Sequence, residues 1–240
     1  MRRFLNIWSQ TLAGPLVTAG LFLFIFTYAI GPSRGDVMGM PFVSFLAPGI
    51  LMMTVIQNAF ANTSSSLISA KVQGNIVDTL MPPLSPLEMV LGYLAGGIGR
   101  GVFIAFGIGL GMLAFLGIGI AHPVWALVFV FLGSALMGAL GLLGGIIALK
   151  FDQMSAITNF VITPLAFLSG TFYSIESLPG WMQAITHWNP IFYLIDGLRF
   201  GVLGVSDSSP WLGLGVASTA TLVTLFLCWR AFATGYRLKS

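Results

Sequence analysis

The sequence predicts an all-α integral membrane protein: six transmembrane helices, a helix-bearing cytoplasmic loop, and a re-entrant or external helical segment before the last span. Three observations predict it. Of the 240 residues, 57% are hydrophobic and 7% are charged, against roughly 25% charged in a soluble domain. Such a chain cannot cover itself with a water-compatible surface. Apolar residues also gather into runs that reach bilayer length, about 20 residues per helical crossing. Finally, the runs lack the alternation of a barrel strand, and a helix satisfies its own backbone groups where lipid offers none.

The runs cover residues 12–30, 42–67, 89–120, 124–149, 155–172 and 211–232. The first stops at Gly31-Pro32, and the second turns polar at Gln57, Asn58, Asn62, Thr63 and Ser64. The third and fourth are rich in glycine, from Gly92, Gly96 and Gly97 to Gly141, Gly144 and Gly145. Small residues let membrane helices approach closely, so tight packing of these two spans is expected. No linker, repeat or second domain is visible, and residues 1–240 read as one transmembrane domain. With the N-terminus inside, Arg2, Arg3, Lys71, Lys150, Arg230, Arg237 and Lys239 fall in cytoplasmic segments, and Arg34 and Arg199 outside. This is a positive-inside distribution with both termini cytoplasmic, as in a multi-pass protein of the inner (plasma) membrane.

The net charge of +3 is explained by that topology and does not call for nucleic acid. Gly31-Pro32-Ser33-Arg34 is a poor cleavage site, so no cleavable signal peptide is expected. Residues 1–10 read either as an amphipathic surface piece anchored by Phe4 and Trp8 or as a tail. The lone Cys228 sits in an apolar run and reads as packing.

Residues 69–88 separate two apolar runs on the cytoplasmic side. Val72, Ile76, Thr79 and Leu80 fall at helical spacing, with Lys71, Gln73, Asn75 and Asp78 on the other faces. Pro82-Pro83 stops any helix. Ser85-Pro86-Leu87-Glu88 reads as a capping box with proline at the first helical position. On local pattern alone, an ordinary surface loop with a well-capped exit fits equally well. Toward the C-terminus, Pro164 and Gly170 permit a kink, Pro179-Gly180 makes a turn, and Trp181, Trp188, Phe192 and Tyr193 suit an interfacial aromatic belt. Asp196 and Arg199, three apart, can pair on one helix face.

These two segments resemble the type-2 ABC exporter permeases. The first matches through Ala70-Lys71, Asp78-Thr79-Leu80, Ser85-Pro86, Glu88 and Gly92. The second matches through Leu168-Ser169-Gly170, Phe172-Tyr173, Ile175-Glu176, Leu178-Pro179, Trp181, Asn189-Pro190, Tyr193, Ile195-Asp196-Gly197 and Arg199. The resemblance implies a permease subunit that works as a homodimer with two copies of a separate ATP-binding cassette subunit. ATP and magnesium then belong to that partner, with no cofactor on this chain. It further implies that a coupling helix presents Lys71, Gln73, Asn75, Asp78, Thr79 and Glu88 to the ATPase. Residues 174–205 become a re-entrant segment, with Ser169, Gly170, Phe172, Tyr173, Pro179, Asn189 and Pro190 shaping an outer gate. The cargo class it implies is a drug or an amphipathic, lipid-linked or glycan-type substrate.

Two polar features inside the spans carry open readings. Gln57, Asn58, Asn62 and Thr63 either bond neighbouring helices or line a substrate path. Arg100 is a charge inside an apolar run, which is often functional. The favoured expectation puts it at the inner interface, because Gly101–Ile120 looks long enough to span alone. In that position it could pair with Asp78 or Glu88.

Enzyme chemistry is missing from the pattern. The sequence has no phosphate-binding Gly-x-x-x-x-Gly-Lys-Ser/Thr loop, no His-Glu-x-x-His and no Gly-x-Ser-x-Gly. His122 and His187 read as surface or interface residues and no metal site is expected. The rival class is a membrane scaffold or assembly protein without transport of its own.

Overall fold

A computed structural model describes residues 13–33, 35–81 and 83–237; the surface piece expected at residues 1–10 lies outside the described residues. The described residues form helices joined by turns, with a single isolated bridge between Val37 and Met40. Helix α1 covers Gly14–Ile25 and continues as a π turn over Phe26–Ile30; α2 covers Phe42–Val72, and α3 Ile76–Leu80. Then come α4 (Pro86–Leu116), α5 (Pro123–Ile147), α6 (Phe151–Ile157), a π turn over Thr158–Ile162, and α7 (Thr163–Phe167). The chain ends with α8 (Gly180–Trp188), α9 (Pro190–Leu203) and α10 (Pro210–Thr234).

Four of these helices, α2, α4, α5 and α10, are long and apolar enough to cross a membrane. The first expected span is represented by a shorter apolar helix, Gly14–Ala29. The fifth is broken. Pro164 cannot donate to the preceding turn, and a π turn at Thr158–Ile162 absorbs the mismatch. The helix then stops at Phe167, short of the expected residue 172.

The central pair is α2 and α5, with 72% and 67% of their apolar windows buried, against 22% for α4 and 28% for α10. Helix α4 buries a single stripe: Val90, Leu94, Gly97, Gly101, Ile104, Ile108 and Met112, spaced three or four apart. Glycine makes the approach possible. A side chain on Gly141 would collide with the Phe60 carbonyl and the Thr63 hydroxyl, and one on Gly101 with Ser134. Close packing of the third and fourth runs, as expected, is through α2 as well as through each other.

Helix α4 begins at Pro86 behind a complete capping box and ends at Leu116, where Gly117 takes a left-handed φ of 65°. That end comes four residues before the expected one. Short α9 lies against α5 and α10: Gly197 faces the Phe129 ring, and Gly213 faces Tyr193. At the opposite end of the bundle, Arg237 donates to the Ile147 carbonyl at 3.0 Å, so the end of α10 lies beside the end of α5.

Candidate functional site

The coupling-loop end forms where α2 stops. Gly74, at φ 76°, turns the chain, and the Gly74 amide donates to the Lys71 carbonyl at 3.1 Å. Ile76 then tucks under α2, α4 and α5 in a core with Leu67, Val90, Leu94 and Ala139. The expected apolar face is therefore redrawn. Ile76 is buried, but Val72 is exposed, together with Val77, Met81, Leu84 and Leu87. The Thr79 and Leu80 side chains lie outside the described residues. Gln73, Asn75 and Asp78 are exposed beside this apolar surface.

Two residues assigned to docking are engaged elsewhere. Lys71 is buried, and its Nζ donates to the carbonyls of Gly145 at 3.1 Å, Ile146 at 2.8 Å and Ala148 at 2.7 Å. An ammonium has three donors, and here all three close the carbonyl end of α5, where a cation is favoured. Lys71 thus fixes the base of the loop and presents no charge outward. The Glu88 carboxylate accepts from the Ser85 amide at 2.7 Å and from the Ser85 hydroxyl at 2.8 Å. It caps α4 and does not pair with Arg100.

The polar stripe of α2 divides. Thr63 is fully buried and donates to the Gly138 carbonyl of α5 at 2.7 Å, which makes it a helix–helix contact and removes it from any path. Asn58 and Gln57 line a cavity of about 240 Å³ with Thr54, Ile50, Phe22 and Phe172. Asn62 lies over Gly96 of α4. Arg100 donates through Nη2 to the Asn58 Oδ1 at 2.8 Å.

Arg100 stands near the midpoint of the 31-residue α4, and Asn58 near the midpoint of the 31-residue α2. Its neighbour Gly101 lies against Ser134, near the middle of α5. The helical stretch beyond Arg100 is shorter than the apolar run suggested, because α4 ends at Leu116: from Gly101 it covers only about 24 Å at 1.5 Å per residue, against a bilayer core of about 30 Å.

The other end holds a buried ionic cluster. Arg199 pairs with Asp196 at 3.4 Å, as expected, and also with Asp207 at 3.3 Å. Its Nη2 donates to the Gly170 carbonyl at 2.7 Å, and its guanidinium lies 3.9 Å from the centre of the Phe45 ring. Asp196 accepts from the amides of Asp207 at 2.8 Å and Ser208 at 2.9 Å, while Ser174 donates to Asp207. Asn189 donates to Ser169 Oγ at 2.8 Å and caps α9 through the Ile191 amide at 3.0 Å, with Pro190 next at the first helical position. Ser169, Gly170 and Asn189 are therefore gathered around one turn.

The remaining residues expected at a gate sit at its edge. Phe172 packs on Phe26 at 5.5 Å and Phe167 at 5.6 Å; Tyr173 donates to the Phe167 carbonyl at 3.5 Å; Pro179 precedes α8. Trp181 and Trp188 are exposed as an aromatic belt requires, but Phe192 and Tyr193 are buried in the core. Their helix α9 packs inward against α5 and α10, which corrects that part of the belt. Asp207 and Phe45 were missed. Asp207 sits in the run Ser206-Asp207-Ser208-Ser209 before Pro210, which reads as helix-start polarity and hides the ionic role.

Among the described residues no cluster of His, Cys, Asp or Glu could hold a metal ion. His122 stacks on Phe200 with ring centres 4.9 Å apart, and Cys228 is buried on the Ala139 carbonyl. What the fold defines is a helical protein with four helices long and apolar enough to cross a membrane, as a transport permease has. The chain belongs to the ABC-2 type transporter family, whose model matches residues 1–203. It is similar to the inner membrane transport permease YadH of Escherichia coli K12, with 37% identity over 240 residues, 100% of this chain and 94% of that one. It is also similar to the daunorubicin resistance ABC transporter permease protein DrrB1 of Streptomyces coeruleorubidus, with 29% identity over 86% of this chain and 73% of that one. Nodulation protein J of Neorhizobium galegae is 25% identical over 90% of this chain and 83% of its own.

Proposed function

We propose that this permease subunit forms the membrane half of an ATP-driven exporter in the inner membrane. Two copies pair with two copies of a separate ATP-binding subunit, which holds ATP and magnesium. The reading rests above all on one observation: an apolar surface of Val72, Val77 and Met81, rimmed by Gln73, Asn75 and Asp78, lies exposed where α2 ends. An exposed apolar patch with a polar rim suits a protein partner. Lys71 and Ile76 brace this loop against α5 and α4, so a push on it reaches the bundle.

In this account α1 and the broken α6–α7 run complete six crossings, with both termini cytoplasmic. The clustering of Lys150, Arg230 and Arg237 with the loop end supports that orientation. Cargo moves outward along the face of Gln57, Asn58 and Asn62. The turn at Ser169 and Gly170, held by Arg199 and Asn189, forms the outer gate with the re-entrant segment through α8 and α9. A relative named for daunorubicin resistance supports a drug-sized or amphipathic cargo.

The test is co-purification with candidate ATP-binding subunits, followed by hydrolysis measured in lipid. Val77→Asp and Asp78→Ala are expected to lower permease-dependent hydrolysis several-fold while the permease still folds. A chain that binds no such subunit, or hydrolysis indifferent to both variants, would sink the exporter and favour the scaffold.

A further inference from the structure

Arg100 and Arg199 both sit on helices of an apolar bundle, Arg199 fully buried and Arg100 half-buried, and their charged surroundings differ. Arg199 has two carboxylates within 3.4 Å. Arg100 has the neutral Asn58 amide, and its buried Nε has no partner among the described residues. A charge within an apolar bundle is expensive unless it is paired.

The chain cannot supply that pair. It has seven acidic side chains. Asp78, Glu88 and Asp152 lie at the coupling-loop end, and Asp36, Glu176, Asp196 and Asp207 lie in or beside segments at the other end. Residues 1–12, Arg34, Pro82 and 238–240 contain no acid. A second copy with the same orientation brings its acids to the same two levels. A counter-charge for Arg100 would therefore have to come from another molecule.

Space and lining say which kind. The cavity of about 240 Å³ beside Asn58 has Phe22, Ile50 and Phe172 on its wall, with Thr54 and Gln57. Asn58, which also accepts from Arg100, links this mixed apolar and polar lining to the guanidinium. Asn58 turns its Oδ1 to Arg100 and donates through Nδ2 to the Thr54 carbonyl at 2.9 Å, which fixes the fork. On the open side of α4, Gly92 and Gly99 have nothing within 4 Å of an added Cβ, so no side chain fences the helix there.

We propose that Arg100, oriented by Asn58, is an oxyanion-binding residue at mid-bundle that takes the phosphate or carboxylate head of an amphiphile. Its apolar portion lies along the cavity beside Phe22 and Phe172. Guanidinium forks suit such heads because they can donate two parallel hydrogen bonds. The site refines the transport path proposed above and depends on that reading only for the step from binding to movement.

The test measures binding on the full-length permease alone, so it stands apart from any ATPase result. Thermal unfolding is followed in dodecyl maltoside during titration with dodecyl phosphate. Separately, it is followed in vesicles of phosphatidylcholine against vesicles of equal parts phosphatidylcholine and phosphatidylglycerol. Wild type is expected to be stabilised by an anionic head in at least one arm, since a ligand that prefers the folded state raises its stability. Arg100→Gln is expected to weaken the apparent affinity by about tenfold, the loss of one charged pair. Asn58→Asp supplies a carboxylate from within and is expected to abolish the response while keeping the helices paired, so it decides the matter if Arg100→Gln fails to fold. A response to dodecyl phosphate alone assigns the site to cargo, and a response to phosphatidylglycerol alone assigns it to bilayer lipid. Equal responses in wild type and both variants, or no wild-type response in either arm, overturn the proposal.

Discussion

The Lys71 ammonium and the Gly145, Ile146 and Ala148 carbonyls form a cap between two helices that are far apart in sequence. Removing the donor leaves buried carbonyls unsatisfied, at about 1–3 kcal/mol. Lys71→Ala is therefore expected to lower the unfolding temperature of the purified permease. A docking residue would instead weaken ATPase co-purification and leave stability alone. The sequence showed lysine beside a loop, and a lysine there is ordinarily solvated. Its inward turn depends on where α5 ends, a tertiary fact. The Ser85–Glu88 box was legible because all its partners lie within four residues. The Asp196–Arg199 pair was legible for the same reason, and Asp207 was not, because its loop folds back onto α9.

Among the elements, the glycines of α4 and α5 fall into two kinds that composition does not separate. Gly141 meets the Phe60 carbonyl and the Thr63 hydroxyl, whereas Gly99 meets nothing within 4 Å. Gly141→Ala is expected to force α2 from α5 and reduce folded yield. Gly99→Ala is expected to fold as well as wild type or better, since alanine is favoured over glycine inside a helix by about 1 kcal/mol. Fluorescence-detected size exclusion of the two variants checks both. Helix identity was readable from hydropathy, and the start of α4 from its capping box; where α4 and the fifth run stop was not. Gly117 stops α4 early and so leaves fewer helical residues beyond Arg100 than the apolar run suggested, and Pro164 splits the fifth run into pieces.

For the whole molecule, a buried α2–α5 core carries α4 and α10, which leave most of their apolar windows uncovered. Lipid and a second copy are the natural covers for such faces. The layout places a braced, partly apolar loop at one end, an arginine without a carboxylate midway, and a buried ionic turn at the other. In the proposed exporter a motion entering at Val77 would reach Arg199 through α2, since Phe45 of that helix lies under the Arg199 guanidinium. Coupling of this kind needs two states with different contacts at the loop. Hydropathy and short motifs gave the outline of this plan. They could not give the Asn58 partner of Arg100 or the partners of Arg199, which come from helices meeting across the bundle.

The most direct measurement is cross-linking from position 77. The native thiol, Cys228, is buried, so a Val77→Cys variant carries one reactive cysteine. Co-expressed with its ATP-binding subunit and treated with a short thiol–amine cross-linker, it is expected to form a heterodimeric adduct whose yield changes with nucleotide. Ile185→Cys, exposed on α8 at the far end, is expected to form none. An adduct from position 185, or none from position 77 in a complex that otherwise stays together, would contradict docking at the α2–α4 loop.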